Sequence, residues 1–489
     1  MLYPFWIRVW TGAAGLVGMG AQDWDEFIRL CQAMNAFCAA AAIGLLFSIL
    51  QKIAGTRFAL LGAFQFGFAE ALVLHATNSA EPVTGLMFSM AALRILAAAL
   101  GTERHALLVP VGFLLVLATA SYETMALTVV VVVCGCFCWP GTQIATALKR
   151  ILIVGVSGLV SLVVVYGRAY ASLGIRPAKM LAQLFVVADD QYYGGLRAAK
   201  FVNFPFGLLE NLFQAVPRGY QGVRWLRGAP HAAAWLGLEL VCLTMLTVLG
   251  WQIMLGVAAA ARRSALPRRM VGLVAGASLL AVCFPLVYRD PMYDKMWLLP
   301  LAALTIAATV AFRFSSSGAR RLLFAGFAVL LIAEVARNVP RAVQDHLQVM
   351  PQLAEARRLA SVVNRRDAVI RDFDGVSELW AAIWGDGVNI LNLPSSTRQE
   401  TAEWLALAET KETAEHGAIY FVTVLDYDRA RWDAFLGHIM KVPYSALDCY
   451  RDSSVIVQRF SVGGTAHTVR RLDRPSFCAP LLAVSHRSQ

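Results

Sequence analysis

Ten stretches of this chain are long and apolar enough to be transmembrane helices, and that pattern constrains the fold more than any other feature. A bilayer core about 30 Å thick takes about 20 mostly apolar residues as a helix, because lipid offers no partner to an unpaired backbone N–H or C=O. The stretches lie at 33–51, 58–75, 82–100, 106–120, 122–139, 151–168, 233–257, 270–288, 296–312 and 322–338. The pair 106–120 and 122–139 is so closely spaced that it reads as a tight hairpin turning at Ser121, Tyr122 and Glu123. Composition agrees. Of 489 residues, 58% are hydrophobic and 15% charged, against about 25% charged in an ordinary soluble domain. One soluble core cannot bury that surplus, so part of it faces lipid. Met1 to Gly20 lacks the basic start, compact apolar run and cleavage site of a signal peptide.

The net charge of +11 is a topology signal rather than a footprint for nucleic acid, because the basic residues sit in short clusters between spans. One set of connections holds Lys52 and Arg57, then Arg104, then Lys149 and Arg150. It continues with Arg262, Arg263, Arg268 and Arg269 and ends with Arg313, Arg320 and Arg321. The alternate connections carry none from His75 to Glu81, none from Ser121 to Glu123, and two from Arg289 to Lys295. The first set is expected in the cytoplasm. Residues 1–31 and everything after 338 are then expected outside it. Two explanations fit the start of the chain: an interfacial N-terminus with Trp6, Trp10 and Trp24 at headgroup level, or a chain that opens inside an external loop after a preceding helix. Topology favours the second. Residues 169–232 form a long external segment rich in aromatic and basic side chains. Its amphipathic pieces, 178–188 and 207–215, either lie in the membrane interface or belong to a surface loop.

Composition changes after Pro340. A helix is expected from Pro351, with Leu353, Ala356, Ala360 and Val363 on one face. Strand-like runs follow at 368–370, 388–393, 419–425 and 454–460, separated by helical patterns at 397–407 and 427–440. Thr397 and Glu400 have the spacing of a capping box. The alternation predicts a small α/β domain over 341–465, with 466–489 a poorly ordered tail. It holds no Gly-rich phosphate loop, zinc spacing or nucleophile elbow, and Gly385-Asp386-Gly387 reads as a turn. Cys449 and Cys478 are able to pair if the tail is extracytoplasmic. Cys134, Cys136 and Cys138 read as small apolar side chains of a membrane helix rather than a metal cluster, since a helix turns Cys136 away from the other two.

Chemistry is expected where polar groups meet the membrane, because burying them in lipid is costly. On the external side these are His75, Asn78 and Glu81; Tyr122 and Glu123; Asp189 and Asp190; and Arg289, Asp290, Asp294 and Lys295. Carboxylates beside basic groups are able to deprotonate a hydroxyl and hold a phosphate, although each charge alone is equally an anchor for a helix end. Glu70, Arg94 and Glu239 lie within spans and are expected to pair inside the bundle, a transport pathway being the other reading.

An acid–Pro pair opens one span, Glu81-Pro82 followed by Val83-Thr84-Gly85-Leu86, and a tight hairpin and a long amphipathic external loop come after it. This layout, over roughly 1–340, resembles the GT-C superfamily: membrane glycosyltransferases that take sugar from polyprenyl-phosphate or polyprenyl-diphosphate donors, as protein mannosyltransferases and lipid A aminoarabinose transferases do. In that family the leading catalytic carboxylate follows the first helix; Asp23, Asp25 and Glu26 are what this chain has before the span at 33–51. The family often has a basic residue near the hairpin turn, where this chain has Ser121-Tyr122-Glu123-Thr124. The resemblance implies Glu81, Glu123 and Asp23 as catalytic carboxylates, with room for a divalent metal. It implies His75, Asn78, Tyr122, Arg289, Asp290 and Lys295 as substrate-binding residues, with Arg289 and Lys295 on the donor phosphate. The expectation is a mainly α, polytopic transmembrane helix bundle of about ten spans with a small extracytoplasmic α/β domain. Its expected partners are a polyprenyl-phosphate-linked sugar, a lipid or glycan acceptor and membrane lipids, with no nucleic acid. A lipid or solute transporter, or a scaffold acting through the tail, is the alternative.

Overall fold

The computed structural model describes residues 3–20, 24–77, 82–102, 104–138, 143–172, 198–213, 244, 248–259, 297–347, 358–359, 361–363, 367–371, 389–392, 417–426, 428–429, 445–462 and 465–473. The chain divides into two compact units, Met1–Gln344 and Asp345–Gln489.

The first unit is a helix bundle. Its described helices are α1 (Tyr3–Leu16), α2 (Trp24–Ala54), α3 (Thr56–Phe68), α4 (Glu70–Thr77), α5 (Pro82–Thr102), α6 (Leu108–Ser121), α7 (Leu127–Cys138) and α8 (Ile144–Ser172). After these come α9 (Ala198–Phe213), α10 (Val248–Ala259), α11 (Leu298–Phe314) and α12 (Ser317–Leu347). Stretches of α2, α5, α8 and α12 are each long and apolar enough to cross a membrane, and α3 with α4 makes a fifth crossing if the bent pair is one span. The outward face of α8 settles the solvent: Leu152, Leu159 and Val164 are 65%, 63% and 63% exposed. An apolar stripe of that size is stable only against lipid, so the chain is a multi-pass membrane protein.

Three side-chain pairs set the register of the bundle. Thr84 Oγ1 donates weakly to Cys38 Sγ at 3.9 Å, and Arg94 Nε donates to Ser48 Oγ at 2.7 Å, each pair 46 residues apart, so α2 and α5 run parallel in one constant register. Arg94 therefore pairs inside the bundle, as expected of a mid-span charge. Thr128 Oγ1 donates to Ser89 Oγ at 3.0 Å, which lays α7 along α5. α11 runs opposite to α3: Phe312 stacks on Phe58 at 5.7 Å, and Arg313 donates to the carbonyl of Ile53. Lys52, Arg57, Arg104, Lys149, Arg150, Arg313, Arg320 and Arg321 consequently gather at one end of the bundle, the basic end. His75, Tyr122 and Trp297 lie toward the other.

Three expectations change. The apolar run 58–75 is not one helix, because α3 and α4 are bent by 60° at Ala69, whose φ of −60° and ψ of 135° leave the helical region. The hairpin helices are short: 14 residues in α6 and 12 in α7 rise about 21 Å and 18 Å, less than a hydrocarbon core of about 30 Å. Trp6 and Trp10 of α1 pack on Phe88 of α5 and Phe37 of α2, at 5.3 and 5.6 Å, which docks α1 on those helices without moving either ring from the expected end. Residues 207–213, expected in the interface or a surface loop, belong to α9, whose Leu209 and Leu212 are buried in the main core with Leu72, Val83 and Trp297. The stretches 270–288 and most of 233–257, with Glu239 and the segment 178–188, lie outside the described residues.

The second unit holds a five-stranded sheet in the order β2-β1-β3-β5-β4. β1 (Ala368–Arg371) lies parallel to β2 (Asn389–Asn392) and to β3 (Ile419–Val422). β4 (Ser454–Val462) and β5 (Thr465–Leu472) complete it antiparallel. β3 is buried along its whole length, which matches a central strand covered on both faces. Asp367 Oδ1 accepts the N–H of Ala418 at 2.8 Å and ties the starts of β1 and β3 together. Burial and the neighbouring carboxylate of Asp367 push the Tyr420 phenol up, against the opposing effect of Arg471. The expected tail from 466 is corrected: Thr465–Leu472 is an interior strand, held by Thr468, Val469 and their neighbours between β3 and β4. α12 continues through Pro340 to Leu347, past the composition change at Pro340. The expected helices at 397–407 and over most of 427–440, and Gly385-Asp386-Gly387, lie outside the described residues.

α6 and α8 meet at Gly112, where an added Cβ would collide with Ser157 Oγ and the carbonyl of Val154 and lie 2.8 Å from the N of Gly158. Gly112→Ala is expected to destabilise the bundle by about 1–3 kcal/mol through overpacking, read as a fall in Tm. Gly155→Ala, with nothing within 4 Å, should leave Tm unchanged or slightly higher.

Candidate functional site

At the end opposite the basic connections the chain turns between α4 and α5 and again between α6 and α7. α4 ends at Thr77 and α5 opens at Pro82, a residue suited to a first helical position because its missing N–H is not needed there. α6 ends at Ser121 and Tyr122 is extended, with φ −154° and ψ 124°; a single 3₁₀ turn, Glu123–Ala126, then leads into α7. The Tyr122 N–H closes α6 by donating to Ala118 O at 2.9 Å, and Tyr122 O accepts from the Met125 N–H at 3.0 Å.

Gly85 brings the two turns together. A Cβ at this position would lie 3.0 Å from Met125 Cγ, 3.1 Å from Ala118 O and 3.3 Å from Tyr122 Cβ. A side chain there would hold the 122–126 turn off the first turn of α5. Glycine lets the backbones close up, which is the use the motif Val83-Thr84-Gly85-Leu86 makes of it. Val83 and Leu86 are fully buried against this junction, and Thr84 is nearly so.

Of the expected site residues, His75 and Tyr122 are buried, at 3% and 5% exposure, and both have interactions within the protein. Glu123 opens the 3₁₀ turn beside Tyr122. Glu81, Asn78, Asp23, Arg289, Asp290 and Lys295 lie outside the described residues, as do Asp189, Asp190 and Asp294. The described residues that flank them, Thr77 and Pro82 for the first pair and Trp297 for the last group, stand at this same end. Trp297 is fully buried and meets Phe204 of α9 at 5.1 Å, so α9 is docked here too. α9 adds two buried charges, Lys200 and Glu210, each with partners in the protein. Both lie in the expected external segment 169–232, and the place of Glu210 between the buried Leu209 and Leu212 shows up only with the helix in view.

Among the described residues no three His, Cys, Asp or Glu side chains group as a metal would require. Cys134 and Cys136 are free thiols in α7. Cys449 is disulfide-bonded; Cys478, the partner expected for it, lies outside the described residues.

No family model and no curated protein sequence matches the chain. Solved structures do align with it. The Archaeoglobus fulgidus oligosaccharyltransferase in complex with Zn and sulfate covers 94% of this chain with a TM-score of 0.47 at 10% identity. The same enzyme tethered to an acceptor peptide containing the NVT sequon gives 0.46 at 12% identity. ArnT from Cupriavidus metallidurans bound to undecaprenyl phosphate covers 95% of this chain and 87% of its own, with a TM-score of 0.41 at 12% identity. The chain spans 64–65% of the oligosaccharyltransferase's length.

The junction at Gly85 is directly testable. A Cβ at position 85 would crowd Met125 Cγ at 3.0 Å and Ala118 O at 3.1 Å. Gly85→Ala should therefore lower Tm by overpacking, at a cost of about 1–3 kcal/mol. An unchanged Tm in Gly85→Ala would contradict the packing of the two turns.

Proposed function

We propose that the chain is a membrane glycosyltransferase of the GT-C kind, acting at the external face of a bacterial inner membrane on a polyprenyl-phosphate or polyprenyl-diphosphate sugar. The observation that carries this reading is the close packing of the first turn of α5 on the 122–126 turn. It supports a shared site for Glu81, which immediately precedes Pro82, and Glu123, which opens the 3₁₀ turn. The docking of α9 at the same end supports a wall along which a lipid chain would lie. The disulfide at Cys449 supports an extracytoplasmic tail, since such bonds persist in oxidising compartments.

In this reading Glu81 takes the proton of the acceptor hydroxyl, and the freed oxygen attacks the anomeric carbon. The bond from that carbon to the phosphate oxygen breaks, and the electron pair leaves with the polyprenyl phosphate. Arg289 and Lys295 hold that phosphate and offset its growing charge. Asp23 and Glu123 supply further carboxylates for the acceptor or a divalent cation, and His75, Asn78, Tyr122 and Asp290 position the sugar. Alignment of acceptor and donor and charge stabilisation on both sides of the anomeric carbon do the catalytic work.

A second reading, a lipid or solute transporter, is favoured by one feature. The break between α3 and α4 is the kind of interrupted helix that transporters place at mid-membrane. It also predicts an internal repeat, which the sequence does not show.

Glu81→Gln, assayed with a polyprenyl-phosphate-linked sugar as donor, should lower turnover by about 10²–10⁴ per folded molecule, the usual cost of losing a general base. Arg289→Ala should instead raise the donor KM. Normal turnover in Glu81→Gln would remove the site assignment, and solute accumulation in liposomes without any sugar transfer would favour the transporter.

A further inference from the structure

The break in the α3–α4 helix lies against a set of buried polar side chains that the glycosyl-transfer reading does not use. Asn338 of α12 is fully buried, and its Nδ2 donates to the carbonyls of Phe68, at 2.7 Å, and Leu212, at 2.8 Å. Phe68 is the last residue of α3 and Leu212 lies in the last turn of α9, so one amide joins the carbonyl ends of two helices. One turn earlier on α12 is Glu334, also fully buried, with Gln65 of α3 as its polar neighbour. Gln65 approaches the carboxylate, yet neither oxygen of Glu334 completes a hydrogen bond. Asn211, next to Leu212, spends its Nδ2 on Gly207 O at 2.6 Å.

What these bonds leave over is uniform in kind. Both oxygens of Glu334, Oε1 of Gln65 and Oδ1 of Asn338 are buried acceptors without a donor among the described residues, and Asn211 Oδ1 adds a fifth at the edge. The amide orientation of Asn338 is fixed by its two carbonyl partners, which accept only, so its oxygen has to face the other way. The other buried charges nearby, Glu70, Lys200 and Glu210, have interactions of their own. Glu334 and Asn338 are one turn apart on α12 and meet Gln65 and Phe68, one turn apart on α3, so four of these acceptors share one stretch of the α3–α12 contact, and buried acceptors without a donor are costly. The carbonyl end of α9 adds roughly half a negative charge, while at the break the carbonyl end of α3 is met by the amino end of α4. Lipid-depth positions offer no bulk water to relieve any of this.

We propose that Glu334, Gln65 and Asn338, with Asn211 at the rim, form a site for a monovalent metal cation, with Na⁺ the ion that fits best. Oxygen-only ligands select a hard cation. A single carboxylate among neutral amide oxygens balances one positive charge, where a calcium site draws on several carboxylates and magnesium keeps several waters. The ion joins α3, α9 and α12 through their side chains and holds the broken helix in its bent form. It is a structural ion at mid-bundle, separate from the turns at the end opposite the basic connections.

The test uses the full-length chain purified in detergent, without donor or acceptor, so its outcome is independent of the glycosyl-transfer reading. Tm is followed while N-methyl-D-glucamine chloride is replaced by sodium chloride at constant ionic strength, which leaves screening unchanged. Once Na⁺ exceeds its dissociation constant, each further tenfold excess should raise the apparent folding constant about tenfold. Glu334→Gln should lose that dependence while remaining folded. If Glu334→Gln does not fold, Asn338→Asp gives the second arm: an added carboxylate should shift the preference from Na⁺ toward Ca²⁺. A wild-type Tm indifferent to Na⁺, a stronger response to Mg²⁺ than to Na⁺, or the full Na⁺ response retained in Glu334→Gln would each overturn the proposal.

Discussion

In the interior of this bundle a polar side chain has no water to turn to, so each one has to find its partner on another helix, and the partners it finds set the register. Arg94 to Ser48, Thr84 to Cys38 and Thr128 to Ser89 are such pairs. Apolar packing alone would let α2, α5 and α7 slide along one another, because one leucine contact is much like the next. Directional bonds in a low dielectric remove that freedom, at about 1 kcal/mol or less per interhelical bond. Once α2, α5 and α7 are in register, the 77–82 and 121–126 turns stand at the same end and the basic connections at the other.

That separation of ends links structure to function. The basic end carries the charge that orients a membrane protein, and the opposite end carries the paired turns, the buried His75 and Tyr122 and the docked α9. Gly85 is the small residue on which the junction depends, since anything larger would part the two turns. The lower half of the same bundle is held by Phe58 on Phe312 and by Arg313 on Ile53 O, which anchor α11 against α3.

Much of this was legible in the residues alone. Apolar runs marked most of the helices because lipid imposes a length, and the basic clusters fell on alternate connections because charge resists crossing. The break at Ala69 was not legible: its neighbours are as apolar as any, and the cap on Phe68 O comes from Asn338, 270 residues away. Glu334 stands within an apolar run as Glu70 and Arg94 do, and its polar neighbour Gln65 is 269 residues away along the chain. β5 was hidden by its polarity, since Thr465–Leu472 is a strand by virtue of pairing on both sides rather than of an apolar face. For the candidate catalytic residues the sequence offers types and neighbours, and the described backbone adds that the first turn of α5, which follows Glu81, packs on the turn that contains Glu123.

The central claim is that the paired turns and the basic connections face opposite sides of the membrane. Accessibility labelling of single cysteines in intact cells tests it most directly, with Asn78→Cys at one end and Gly318→Cys at the other. The account predicts that a membrane-impermeant maleimide modifies position 78 from outside and reaches position 318 only after the membrane is opened. Labelling of both from the same side, or of 318 alone from outside, would contradict it.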